Sequence, residues 1–234
     1  GANNVFIGYL TGDANTTGSD NTAVGKSALS ANTTGNTNTA VGVNALGANT
    51  TGVDNVAMGK NALAANTTGN YSVGIGALAL QANTTGQNVA IGQAAMIANT
   101  TGTGNVAIGT YDDAALQPLK ANTTGAKNVA VGTGSLAANT TADNNTAVGY
   151  QSLTATTTSG DNSALGYQAL RVNTTGYGCT AVGAYALDAN QTGNYNTAIG
   201  FSALTTNTTG ANNTALGRIA GQDNTTGAEN VFVG

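Results

Sequence analysis

The sequence predicts an all-β fold, a parallel β-solenoid of the β-roll kind, and three observations carry that reading. First, a motif recurs along all 234 residues with a period of 17: Asn-(Thr/Val)-Ala-(Val/Ile)-Gly, a short variable stretch, Ala-Leu, and Ala-Asn-Thr-Thr-Gly. Second, a glycine holds the same fifth place in every copy, from Gly8 to Gly234. Third, aliphatic residues recur at fixed places in a chain with only 7% charged residues. Low charge with few large apolar side chains would by itself point to disorder. Strict spacing of the aliphatics points instead to stacked coils that share one continuous core. The repeat therefore overrides the one or two globular domains that length alone suggests.

The coils open at positions 4, 21, 38, 55, 72, 88, 105, 128, 145, 162, 179, 196, 213 and 230. That makes thirteen complete coils and the first five residues of a fourteenth, read as a single repeat domain over 1–234. Numbering slots from the opening residue, slots 2 to 4 form a short β-prone run that ends at the slot-5 glycine. A helix is disfavoured, because each coil holds two glycines and two adjacent threonines. Slots 12 to 15 carry turn chemistry: the asparagine can bond its own backbone, and the glycine is free to take positive φ. One coil is therefore expected to run strand, corner, second strand, turn, with coils stacked at roughly 4.8 Å.

Slot 1 is expected to hold a ladder of side-chain amides, formed by Asn21, Asn38, Asn55, Asn88, Asn105, Asn128, Asn145, Asn162, Asn196 and Asn213. Such ladders suit in-register stacking, and an unpaired buried amide costs roughly 1–3 kcal/mol. Ser72 and Cys179 interrupt it. Cys179 reads as a small, weakly polar plug rather than a reactive thiol. Slots 3 and 9 are expected to face each other in the core. The interior coils pair Ala with Leu, whereas Phe6 goes with Gly12 and Phe232 follows Gly221. A ring that appears where a leucine is missing conserves volume.

Slots 2 and 4 point away from slot 3 in an extended strand, so the Val-Ala-Ile run is apolar on both faces. A strand apolar on both faces needs cover on both. Parallel copies of the same chain are the simplest cover, which predicts a homo-oligomer.

Val89-Ala90-Ile91-Gly92 and Val106-Ala107-Ile108-Gly109 resemble the repeat core of trimeric autotransporter adhesin heads of the Yersinia adhesin type. The repeat of those heads is shorter than this one. The resemblance implies left-handed parallel β-rolls packed as homotrimers. The run from Asn145 to Leu153 (Asn-Thr-Ala-Val-Gly-Tyr-Gln-Ser-Leu) and that from Asn162 to Leu170 are similar to repeats of phage tail-fibre-like and bacterial surface adhesin proteins. Together these imply a structural or adhesive rod of an extracellular fibre, on a virion or a bacterial surface. The near identity of residues 1–8 and 227–234 reads either as a pair of caps or as a super-repeat, whose units run on covalently or stack end to end into an extracellular filament.

Other functions are weighed against plainer readings. The chain has no His, and its acids are scattered over turn and variable slots. Asp112 and Asp113 form the only close acidic pair. Paired carboxylates serve glycosidases, but adjacent acids in a loop suit a solvated turn, so no catalytic residue, metal site or cofactor is expected. The pair lies in a six-residue insertion within 110–121 of the coil opening at Asn105, either a tolerated bulge or a partner contact. Tyr150, Tyr167 and Phe201 share slot 6 and are candidate receptor contacts, for instance with a cell-surface glycan; they equally suit oligomer packing. Six Lys plus Arg make no basic patch for nucleic acid, and no apolar run is long enough to insert in a membrane. Asn-x-Thr sequons, such as the one at Asn32, follow from the repeat itself. Stacked threonines raise an ice-binding reading, weakened because adjacent strand residues point to opposite faces.

Overall fold

The computed structural model describes residues 1–110, 113 and 115–234. Among them there is no helix and there are fourteen short strands: β1 (Val5–Ile7), β2 (Thr22–Val24), β3 (Thr39–Val41), β4 (Val56–Met58), β5 (Val73–Ile75), β6 (Asn88–Ile91), β7 (Asn105–Ile108), β8 (Val129–Val131), β9 (Thr146–Val148), β10 (Ser163–Leu165), β11 (Thr180–Val182), β12 (Thr197–Ile199), β13 (Thr214–Leu216) and β14 (Val231–Val233). The fold is an all-β parallel solenoid of about 13 turns. It divides into two compact units, Gly1–Tyr111 with Ala121–Thr124, and Asp112–Lys120 with Gly125–Gly234.

In the first unit β1 to β7 pair parallel in chain order. In the second β8 to β14 do the same. The register follows the repeat slot by slot, with Thr22 opposite Thr39 and Ala23 opposite Ala40. It survives the one-residue deletion in the coil opening at Ser72, where Val73 pairs with Val89. The deletion falls outside the strands, so no side chain is forced to the other face.

Among the described residues each coil holds one strand, and the expected second strand is absent. Slots 7 and 9 are left-handed instead, as in Asn61 (φ 56°) and Leu63 (φ 50°). The reason lies in the Ala-Leu pair. Ala62 and Leu63 are adjacent, and both are fully buried. A strand would send them to opposite faces. The alternating hand turns both inward, at a backbone cost of about 1–2 kcal/mol for each left-handed residue. Bonds between coils offset it: Asn61 N–H donates to Val43 O at 2.9 Å, and Leu63 N–H to Ala79 O at 3.0 Å.

The core is narrow and made of small residues, with slot-3 and slot-8 alanines packed around the slot-9 leucines. The expected pairing of slots 3 and 9 is present. A Cβ on Gly12 would lie 2.6 Å from Phe6 Cε2, and one on Gly221 would lie 2.5 Å from Phe232 Cδ2. Each ring therefore occupies the space of the missing leucine. In the coil with the insertion, Leu119 takes the slot-9 place, buried and left-handed (φ 49°).

The slot-1 ladder exists, but amide-to-amide bonds are not its main link. Asn21 Oδ1 accepts the backbone N–H of Asn38 at 2.9 Å and its Nδ2–H at the longer distance of 3.2 Å. The Asn38 amide donates at 2.8 Å to the carbonyl of Gly52, the slot-15 residue of its own coil. A second ladder, not foreseen, runs through slot 12. Asn49 donates to Asn32 Oδ1 at 2.9 Å, and Asn66 to Asn49 Oδ1 at 3.0 Å. Asn49 also donates to Gly52 O at 3.1 Å. One slot-15 carbonyl thus receives amides from both ladders.

The slot-15 glycine does not use its freedom to take positive φ. What it provides is close approach: a Cβ on Gly35 would meet Gly52 O at 2.3 Å and Asn32 Oδ1 at 2.5 Å. Ala142 and Ser159 stand in this slot in two successive coils, and their carbonyls still accept the slot-1 amides of Asn128 and Asn145.

Asn55→Ala tests this bonding, because Asn55 is fully buried and connects Asn38, Ser72 and Gly69. The substitution strands the Ser72 N–H and removes an amide from Gly69 O, so it is expected to cost about 3 kcal/mol. Asn55→Ser should cost clearly less, because Ser72 itself reaches the slot-15 carbonyl, donating to Gly86 O at 2.7 Å. Denaturant unfolding of the two variants checks the order.

Candidate functional site, an outward apolar and aromatic face

Strand pleating sets which side chains meet solvent. In β10 Ala164 faces the core while Ser163 and Leu165 are exposed. The other strands repeat the pattern, with slot 3 inward and slots 2 and 4 outward. In the first unit the outward columns hold Ile7, Met58 and Ile91 at slot 4, each more than a third exposed. In the second they hold Leu165, Ile199 and Leu216. No slot-2 or slot-4 position carries a charge.

Beside the slot-4 column, the second unit gathers three of the sequence-predicted contact residues, Tyr150, Tyr167 and Phe201, into one strip. Tyr150 and Tyr167 stack with ring centroids 5.4 Å apart. Tyr185, a slot-7 residue that the slot-6 reading missed, joins them edge to face: 5.3 Å from Tyr167 and 6.0 Å from Phe201. Arg218 lies 5.8 Å over the Phe201 ring, within cation–π reach. The link is visible in sequence only once slot 7 is known to be left-handed, which brings its side chain beside slot 6.

Asp113 is exposed and does not join the strip. It accepts the Ala115 N–H at 2.8 Å and takes the Gln117 amide on its backbone carbonyl at 3.0 Å, which makes it a loop-closing residue. Asp112 lies outside the described residues. Among the described residues, no group of three or more His, Cys, Asp or Glu could hold a metal ion. Among the same residues no helix is long and apolar enough to cross a membrane.

The sequon asparagines of the Asn-x-Thr turns are the slot-12 ladder, while Asn70, Asn144 and Asn212 open further sequons outside it. Asn32 is fully buried, and its Nδ2 donates to Asn15 Oδ1 and Gly35 O. The nitrogen that a glycan would need is enclosed in the stack. The threonines that follow differ from one another. The slot-13 hydroxyl of Thr33 donates to Thr50 O at 3.0 Å, whereas slot-14 Thr34 is exposed.

A second tyrosine pair lies on the slot-16 and slot-17 side of the same unit. Tyr195 donates its hydroxyl hydrogen to Tyr177 Oη at 2.8 Å, and the rings meet edge to face at 4.8 Å. That bond, ahead of any other influence, holds the Tyr195 phenol above its ordinary pKa.

Comparison with protein-family models, with curated proteins and with solved structures returned no match.

Cys179 fills its ladder position as a plug: its N–H donates to Asn162 Oδ1 at 3.0 Å, and its thiol reaches Gly193 O at 3.2 Å. Burial raises its thiol pKa, which suppresses the reactive thiolate. In the folded protein at pH 8 Cys179 is expected to resist Ellman's reagent, and to react fully once denaturant opens the coil. Rapid labelling of the native protein would contradict the plug assignment.

Proposed function

We propose that this chain is a structural and adhesive rod segment of an extracellular fibre, viral or bacterial, assembled from parallel copies of itself. Three copies are favoured by the resemblance to adhesin heads. The observation that carries the proposal is the outward strand face. Every coil presents an aliphatic residue at slot 4 and none presents a charge at slots 2 or 4. Ridges repeating at the coil spacing mesh best with a surface of the same spacing, and another copy of this chain supplies one. Burying a half-exposed Leu or Ile in such a contact contributes about 1 kcal/mol, summed over many coils.

Adhesion to a glycan is a second reading, favoured by the strip of Tyr150, Tyr167, Tyr185 and Phe201. The edge-to-face packing of these rings leaves fewer open ring faces than a flat platform would. Ice binding has less support. Within the Asn-Thr-Thr-Gly turn the slot-13 hydroxyls are spent on the stack, so only the slot-14 threonine of that turn offers its hydroxyl to water.

Sedimentation equilibrium is expected to give three times the chain mass. Replacing Leu165, Ile199 and Leu216 together by Lys should yield a monomer with an unchanged far-ultraviolet spectrum, since all three are at least 41% exposed in the single chain. A wild-type protein that stays monomeric at tens of micromolar would overturn the proposal.

A further inference from the structure

Tyr177 closes slot 16 of the coil opening at Asn162, and Tyr195 closes slot 17 of the coil opening at Cys179. Both are fixed at the backbone. Tyr195 N–H donates to Tyr177 O at 3.0 Å, and Tyr177 N–H to Asn194 Oδ1 at 3.0 Å. Room for the Tyr195 ring comes from Gly178, left-handed at φ +65°. A Cβ there would fall 2.7 Å from Tyr195 Cδ1. Both phenols are open to solvent, at 41% and 55% exposure, and their hydroxyls are in direct contact. The carbons ortho to those hydroxyls therefore converge on the same contact.

We propose that Tyr177 and Tyr195 are an oxidative cross-linking site, joined by one carbon–carbon bond between ortho ring positions into a dityrosine that staples two successive coils. The oxidant is hydrogen peroxide turned over by a haem peroxidase, which takes one hydrogen atom from each phenol and leaves two phenoxyl radicals. These pair at their ortho carbons. Each ring then regains aromaticity as its ortho hydrogen transfers to its oxygen. Two tyrosines and one hydrogen peroxide give one dityrosine and two waters. Prior contact favours coupling within the pair over coupling between chains, because an oriented pair reacts as if at very high local concentration. The site stands independently of the oligomer reading.

The test treats dilute folded protein with a plant peroxidase and hydrogen peroxide. Expected are dityrosine fluorescence, the loss of two hydrogens in mass without a change in chain number, and a proteolytic peptide joining Tyr177 to Tyr195. Tyr177→Phe and Tyr195→Phe should each abolish that peptide, while a Tyr150→Phe/Tyr167→Phe double variant keeps it. Gly178→Ala should lower the yield by displacing the ring. The cross-linked wild type should melt at a higher temperature than the untreated protein. The stacked pair Tyr150 and Tyr167 is the internal competitor. A cross-link mapping there, links only between chains, or no link under conditions that couple free tyrosine would each overturn the proposal.

Discussion

The slot-15 carbonyl is the contact on which the rest of the solenoid depends. At Gly52 it accepts the amides of Asn38 and Asn49, which come from opposite ends of the same coil. The two bonds close the coil into a loop. The oxygens of the same amides accept from the next coil, Asn38 Oδ1 from Asn55 and Asn49 Oδ1 from Asn66. Closure and stacking therefore use one set of groups. A one-residue slip would leave several buried polar groups per coil unpaired, at about 1–3 kcal/mol each. The core discriminates less. Alanine and leucine at slots 8 and 9 are small or adaptable, and burying one leucine contributes about 1.5–3 kcal/mol in whatever register it is buried. Polar bonding thus sets the register, and the core supplies cohesion.

This division explains which deviations the repeat tolerates. Ser72 and Cys179 lack an amide, yet each places a hydrogen-bond donor on the slot-15 carbonyl of its own coil. Thr156 replaces a slot-12 asparagine, and its hydroxyl turns to Asn173 O at 3.0 Å. Ala142 and Ser159 add a Cβ but keep the carbonyl. The missing residue between Gln87 and Asn88 and the insertion before Leu119 both fall outside the strand and the Asn-Thr-Thr-Gly turn. Thr156 breaks the slot-12 ladder locally; every other change spares a bond that both closes a coil and joins it to the next.

The sequence displayed much of this. Period, strand position, the exchange of phenylalanine for leucine, and the slot-1 ladder were all legible, because each leaves a chemically distinctive residue at a fixed interval. The slot-12 ladder was hidden by an adequate local explanation: an asparagine before Thr-Thr-Gly already suits a turn, and its bond to the slot-15 carbonyl is local. Burial revealed its second role. The left-handed leucines were hidden because leucine rarely adopts that conformation. The clue was the adjacency of Ala62 and Leu63, two apolar residues in series where a half-buried strand would alternate. Tyr185 went unplaced for the same reason, since its link to Tyr167 and Phe201 depends on that backbone hand.

Inward and outward columns vary in opposite ways, and the contrast bears on where function resides. Slot 3 is alanine in eleven of the fourteen coils, and its exceptions are answered by changes at slot 9 or by a neighbouring leucine, as when Gly74 packs against Leu63. Slot 6 ranges from Lys26 and Lys60 to Tyr150, Tyr167, Phe201 and Arg218 without disturbing the strand beside it. Each coil bonds only to its neighbours, so an outward residue can change at no cost to coils beyond them. In the second unit that freedom is used coherently, since aromatic rings and an arginine meet across successive coils from Tyr150 to Arg218. Ring-to-ring contact over that many coils needs each coil to present its aromatic at a slot the next one can reach. The amide ladders supply that alignment, so the same bonds that hold the stack in register also set the pattern of its surface.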